Sequence, residues 1–150
     1  MNRILISSAG IEELPWFAAA AEFLDLALHT LGKDDWILSV VFCGDEFIRN
    51  LNLEYRRKDE PTDVLSFSMG DTVEEEGKTW TLAGDIVVSL PALGRNVSEF
   101  HVSQNEELKR LLLHGILHLG GMDHENNDPA QPMLLEQEEI LATLEGAKIL

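Results

Sequence analysis

The chain has 150 residues, 45% of them hydrophobic, and a formal net charge of −16. That length can bury a core of its own and reads as one domain, 1–150, while the apolar fraction excludes a disordered chain and the acidic balance excludes a generic basic nucleic-acid binder. The one cysteine, Cys43, rules out an internal disulfide framework and a cysteine-built zinc knuckle.

The opening MNRILISSAG has no long apolar run after its arginine and does not read as a signal peptide. No segment approaches 18 consecutive apolar residues, so no membrane span is expected and the cytoplasm is the expected location. RILIS (3–7) is a short β-like run. Leu14 to Leu31 reads as a helix with Pro15 in its first turn, Gly32 past its end, and Phe17, Ala20, Ala21, Leu24 and Leu28 as its apolar stripe. WILSVVFC (36–43) reads as a buried strand that ends on Cys43, an inert thiol. Asp45 caps a short helix carrying Phe47, Ile48, Leu51 and Tyr55.

RRKDEPTD (56–63) is a charged loop stopped by Pro61, followed by a strand at VLSFS (64–68). GDTVEEEGK (70–78) reads as an exposed acidic hairpin tip, and WTLAGDIVVSL (80–90) as a further strand in which Gly84 marks a bulge or a close approach. A helical region is expected after Pro91. The S-x-x-E pattern of Ser103 and Glu106 is a capping box that opens a helix running to about Leu119, where Gly120 and Gly121 stop it. A last helix covers roughly Gln131 to Leu144, with Glu136, Glu138 and Glu139 on a solvated face. The interleaving predicts an α/β or α+β fold, with a small sheet of about four strands covered by helices.

The chemistry concentrates in HGILHLGGMDH (114–124). Every residue from Leu111 to Leu119 is Leu, Ile, Gly or His, which is the composition of a buried central helix. His114 and His118 project from one stripe, one turn apart, so both imidazoles can reach a single ion. Glycine accepts positive φ, so the chain can turn sharply at 120–121 and bring His124 back as a third ligand. Three histidines leave the fourth tetrahedral position open, as in catalytic zinc sites. The competing reading is a trio of core histidines satisfied by backbone partners. Zinc is favoured over nickel or copper on geometry and availability. The spacing is that of the metzincin-like zinc proteases, but those need a glutamate after the first histidine, and here that position is Gly115. Another residue must then be the base, or the acidifying effect of zinc on water must suffice, or the substrate must supply the nucleophile.

HGILHLGGMDH closely resembles the H-G-x-L-H-L-x-G-Y-D-H signature of the YbeY endoribonucleases, also called rRNA maturation factors. LNLEYRRKDEPTDVLSFS (51–68) resembles a second segment of that family, L-N-x-x-Y-R-x-K-D-x-P-T-D-V-L-S-F-P. LAGDIVVS (82–89) is similar to its L-G-D-I-x-I-S strand. The resemblance implies an α+β fold with the histidine helix packed on a mostly four-stranded sheet. It implies a single-strand-specific, metal-dependent endoribonuclease acting on 16S rRNA 3′-end maturation and ribosome quality control. Its partners would be single-stranded rRNA and ribosomal or small-subunit proteins, with one Zn2+ per chain. By match to the motif, His114, His118 and His124 are the metal ligands, His114 counts among the catalytic residues, and Arg56 is the family's functional arginine. Met122 departs from the family's tyrosine, and Ser68 from its proline.

Arg56, Arg57 and Lys58 are the only run of three basic residues in this acidic chain. Guanidinium groups match phosphate oxygens, so Arg56 is read as gripping the scissile phosphate, with Arg57 as a second substrate contact or simply part of a solvated loop. Asp63, Asp85 and Asp123 are candidate carboxylates to orient the ligand histidines, each with a turn, strand-end or cap as its alternative. Ser66 is a further candidate for the site lining. His29 and His101 lack ligand spacing and read as structural or exposed. Two other function classes stand beside the nuclease: a zinc hydrolase of another substrate, such as a peptidase, and a ribosome-associated binding factor whose zinc is mainly structural.

Overall fold

The computed structural model describes residues 1–150. The elements in chain order are β1 (Arg3–Ala9), α1 (Phe17–Thr30), β2 (Trp36–Cys43), α2 (Asp45–Arg56), β3 (Val64–Glu75), β4 (Lys78–Ser89), α3 (Leu90–Phe100), α4 (Gln104–Leu119) and α5 (Pro132–Thr143). One mixed sheet runs β1-β2-β4-β3. β1 pairs parallel with β2 and β2 with β4, while β3 pairs antiparallel with β4. This is the α+β, four-stranded arrangement expected from the sequence.

Strand parity divides the core. Leu38, Val40 and Phe42 of β2 and Ile86 and Val88 of β4 join the main cluster of 23 buried residues with α1 and α4. Cys43 of β2, Val87 of β4 and Leu65 of β3 point to the opposite face, where a cluster of only four buried residues lies under α2. Successive side chains of a strand alternate faces, and the register shift opposite Ile37 and Leu38 lets odd-numbered Ala83 join the same face as Ile86 and Val88. No helix of the chain is long and apolar enough to cross a membrane.

Several boundaries differ from the sequence expectation. α1 starts at Phe17, so Pro15 precedes the helix instead of sitting in its first turn. The acidic segment 70–78 is the exposed end of a β3–β4 hairpin, as expected, but most of it is strand: its arms pair up to Glu75 and Lys78 and join at Glu76 and Gly77, both with positive φ. That is the two-residue turn whose twist matches paired strands. The ladder skips at Met69–Gly70 and resumes at Asp71–Leu82. Ser68 pairs with Gly84, and β3 continues past it. The outer arms are held by Trp80, with the Arg3 guanidinium 4.2 Å and the Lys78 ammonium 4.6 Å from its ring centre. Gly84 is the expected close approach: its φ is 137°, and a β-carbon there would lie 2.0 Å from the Phe67 carbonyl oxygen.

α3 forms despite Gly94, because Ser89 caps it by accepting from the Ala92 amide at 3.2 Å and Pro91 lies in its first turn. α4 is capped by Ser103, which accepts from the Glu106 amide at 3.0 Å. Its far end closes through the paired bonds Met122 N to Leu117 O and Gly121 N to His118 O, both 3.0 Å, with Gly121 at φ 95°. This is a Schellman closure, and Gly121 is the glycine that it requires. Lys109 is buried on α4 and donates to the carbonyls of Leu144, Glu145 and Ala147 at 2.9, 3.2 and 2.9 Å. It thereby clamps the segment after α5 against α4.

Candidate metal centre and cleft

His114 and His118 project from α4 into a cleft bordered by Val64 and Leu65 of β3 and Gln137 of α5, and the turn at Gly121 returns His124 to them. One ring nitrogen from each lies within 4.8 Å of the others. Each Nδ1 has its own oxygen: His114 donates to Gln137 Oε1 at 2.7 Å, His118 to the Met122 carbonyl at 3.1 Å, and His124 to the Asn126 carbonyl at 2.9 Å. Those oxygens only accept, so each Nδ1 carries the hydrogen and each Nε2 is left with its lone pair. The Nε2 atoms of His114 and His118 lie 3.1 Å apart. Two nitrogens at about 2.05 Å from one tetrahedral ion would be about 3.3 Å apart. Two acceptors facing each other are satisfied by a cation between them, so the residues present fit a metal ion.

Burial holds His114 below the ordinary histidine range, against the pull of its Gln137 bond. His118 is lowered first by burial and then by the neighbouring His114 ring. Both shifts favour the neutral ring, which is the form that binds metal.

The trio sits in a cleft of about 690 Å³. Arg56 lines it from the end of α2, its Nη2 donating to the Ser66 carbonyl at 3.2 Å. The Ser66 hydroxyl donates to the Gly115 carbonyl at 3.4 Å, so a short polar path ties the arginine to the histidine helix. Lys58 also lines the cleft. Neither Arg56 nor Lys58 pairs with a carboxylate, whereas Arg110, the third basic residue of the cleft, is neutralised by Glu107 at 2.9 Å and Glu138 at 3.0 Å.

Other expectations change. Arg57 is not part of the cleft lining. It takes the left-handed conformation, φ 58°, that closes α2, with its amide bonded to Leu53 O and the Lys58 amide bonded to Asn52 O. Its backbone, and not its guanidinium, is what the fold uses there. Asp85 lies on the sheet face opposite the histidines, where it accepts from the Ser39 hydroxyl and borders an apolar groove with Phe47 and Tyr55. Strand parity puts its neighbour Ile86 on the histidine side instead. Asp63 lines the cleft but accepts from the Val64 amide at 2.8 Å and from Asn96 Nδ2 at 3.0 Å, not from a histidine. Asp123 caps the turn by accepting from the His124 amide at 2.8 Å, and stands 3.9 Å from His118 Nδ1. His29 and His101 are exposed, and Cys43 is buried.

Gln137 was missed. It is buried, and with Met133 and Leu141 it forms the inward stripe of α5 at intervals of four. A glutamine on a buried stripe is the signal that marks it, but the acidic run around it reads as solvated. Glu138 is exposed, as expected, and carries partners as well: burial pushes its carboxyl up, and the hydrogen bonds from Arg110 and Gln137 outweigh this and hold it below the usual carboxylate range.

Two histidines of a buried helix and a third from the turn behind it, open to a cleft with unpaired cations, define the class of metal-dependent hydrolases. The family model described as Endoribonuclease YbeY matches residues 7–145, and the chain belongs to the YbeY endoribonuclease family. It is similar to the YbeY endoribonuclease of Treponema pallidum, with 47% identity over 95% of this chain and 89% of that one. The relative from Treponema denticola is 52% identical over 85% of this chain and 83% of its own length. The solution structure of a Thermotoga maritima protein superposes with a TM-score of 0.64 at 28% identity, covering 95% of this chain and 89% of that one.

Proposed function

We propose that this protein is a zinc-dependent endoribonuclease that cuts single-stranded RNA, acting in the cytoplasm on the 3′ end of small-subunit rRNA. The observation that carries the reading is the convergence of three Nε2 lone pairs on a cleft that also holds Arg56 and Lys58 without carboxylate partners. Three imidazole nitrogens within 4.8 Å of one another, open to the cleft, would suit Zn2+. Bound there, the ion would act as a Lewis acid toward a phosphoryl oxygen and acidify water.

The chain's own residues supply the rest. His114, His118 and His124 hold the ion with their Nε2 atoms. Arg56 binds a non-bridging phosphate oxygen and stabilises the charge that builds there during cleavage. Lys58 draws the flanking phosphate. Asp63, through Asn96, and Asp123, through the His124 turn, keep the loops of the cleft in place. The cleft lining itself carries the carboxylates of Glu60, Asp63, Glu107 and Asp123 beside Arg56, Lys58 and Arg110, so attraction for phosphate rests on Arg56, Lys58 and a bound ion within a chain of charge −16. Binding of free RNA is therefore weak and salt-dependent, and the acidic exterior suits basic small-subunit proteins as partners.

Incubating purified protein with a short single-stranded RNA tests the reading. Wild type is expected to cleave it, and the chelated protein and the His114→Ala variant to lose that activity together. Cleavage that survives in both places the active site elsewhere. Chelator-sensitive turnover of casein with no turnover of RNA would make it a peptidase instead.

A further inference from the structure

A run of hydrogen bonds crosses three helices on the His114 side of the cleft. Asn96 Nδ2, on α3, donates to Glu107 Oε2 at 2.9 Å. Arg110 Nη1 donates to Glu107 Oε1 at 2.9 Å, both residues lying on α4. The Nε and Nη2 groups of Arg110 donate to the two carboxylate oxygens of Glu138 on α5, each at 3.0 Å. Gln137 Nε2 donates to Glu138 Oε2 at 3.1 Å, and Gln137 Oε1 accepts from His114 Nδ1 at 2.7 Å.

The order of these groups matters because the two ends of an amide have nearly the same shape and opposite hydrogen-bonding roles. A free glutamine beside His114 could present either end. If it presented the NH2, Nδ1 would have to accept and the ring hydrogen would move to Nε2, the nitrogen that faces His118 Nε2. A carboxylate can only accept, so Glu138 takes the NH2 and leaves the oxygen for His114. Arg110 fixes Glu138 through a planar two-bond fork. Glu107, 2% exposed, fixes Arg110 in turn. A chain satisfied at every member and anchored at both ends by the buried Glu107 and Gln137 holds one arrangement.

We propose that Arg110, Glu138 and Gln137 form a positioning relay that sets His114 as the Nδ1–H tautomer and presents its Nε2 to the metal. The relay rests on the metal-site reading above only for its consequence; the tautomer it sets exists with or without an ion. None of the three is a metal ligand. They act through His114, as outer partners do when they orient a ligand imidazole.

Two measurements on the full chain test this. In the first, Zn2+ alone is titrated in competition with a chromophoric chelator. Gln137→Leu is expected to weaken binding about 10–100-fold, while Gln137→Glu, which restores an acceptor at Nδ1, returns most of the affinity. Glu138→Ala weakens binding by a smaller factor. The double variant Gln137→Leu, Glu138→Ala binds no more weakly than Gln137→Leu alone, because Glu138 works only through Gln137. In the second, nitrogen-15 NMR of the metal-free protein reads the His114 ring: one tautomer with its hydrogen on Nδ1 in wild type, a mixture in Gln137→Leu. A folded Gln137→Leu protein with the wild-type tautomer overturns the relay, as does a double variant whose losses add. A wild type that takes up no Zn2+ defeats the metal reading, and the tautomer measurement still decides the relay.

Discussion

A β-carbon at position 115 would lie 2.8 Å from both Cδ1 and Cγ2 of Ile86, so Gly115 is the point where α4 rests directly on β4. Ile86 is fully buried and has no room to retreat. The missing glutamate of the protease pattern thus has a packing cause: Ile86 fills the space that a side chain at position 115 would need. Gly115→Ala is expected to lose about 1–3 kcal/mol of stability from overpacking, although alanine by itself favours a helix by about 1 kcal/mol. Gly115→Glu should lose more and gain no activity on casein. Urea unfolding checks both, and an alanine variant as stable as wild type would remove the packing explanation.

Arg56 and Arg57 are adjacent in sequence and separated in role. Arg56→Gln is expected to lower kcat for RNA cleavage by about 100-fold with zinc content unchanged, the scale for losing one charge-stabilising donor. Arg57→Gly relieves a left-handed conformation at φ 58° and should leave cleavage at the wild-type rate, with stability at or above wild type. Equal losses in the two variants would return Arg57 to the substrate site.

The pH behaviour of the metal-free protein follows from burial. His114 and His118 are held below the ordinary histidine range, burial being the first cause for each. A depressed folded-state pKa means that the unfolded chain binds protons first. The contribution of these rings to stability is therefore present above about 6.5, the unfolded value, and is lost as pH falls through the folded values. Proton NMR of the ring resonances should place both midpoints below those of a histidine in an unfolded peptide. Midpoints at or above that reference would contradict the burial seen here.

Cys43 offers a chemical check on the α2 face. Its thiol is pushed up to about 11, by burial first and by the Asp45 carboxylate second. The native protein should resist iodoacetamide at pH 8 and react once unfolded. With a raised folded-state pKa, its contribution to stability is complete below the unfolded thiol value of about 8.5 and is lost as pH rises through about 11. Rapid alkylation of the native chain would show that this face opens.

The histidine site was legible because its geometry is local. A four-residue spacing on an apolar helix, with a glycine turn behind it, brings three imidazoles together whatever the rest of the chain does. Ser103, Gly121 and the Glu76–Gly77 turn follow from the same short-range rules of capping and backbone conformation. Asp85 was misplaced because strand parity is invisible until one knows which sheet face receives α4. Arg57 was misplaced because nothing in a run of three basic residues shows which one must turn left-handed.

Local sequence thus determined the elements, the histidine trio and the polarity of the segment that follows Arg56 at the end of α2. Tertiary structure alone decided that Gly115 answers to Ile86, and that Met122 acts through its carbonyl on His118 while the side chain that departs from the family is not what makes the bond. It also decided that Gln137, 23 residues beyond His114, is the partner that orients it. The reason is range. Caps, turns and helix spacing act within a few residues along the chain, whereas burial, sheet face and the orientation of an amide depend on which distant segments pack against them.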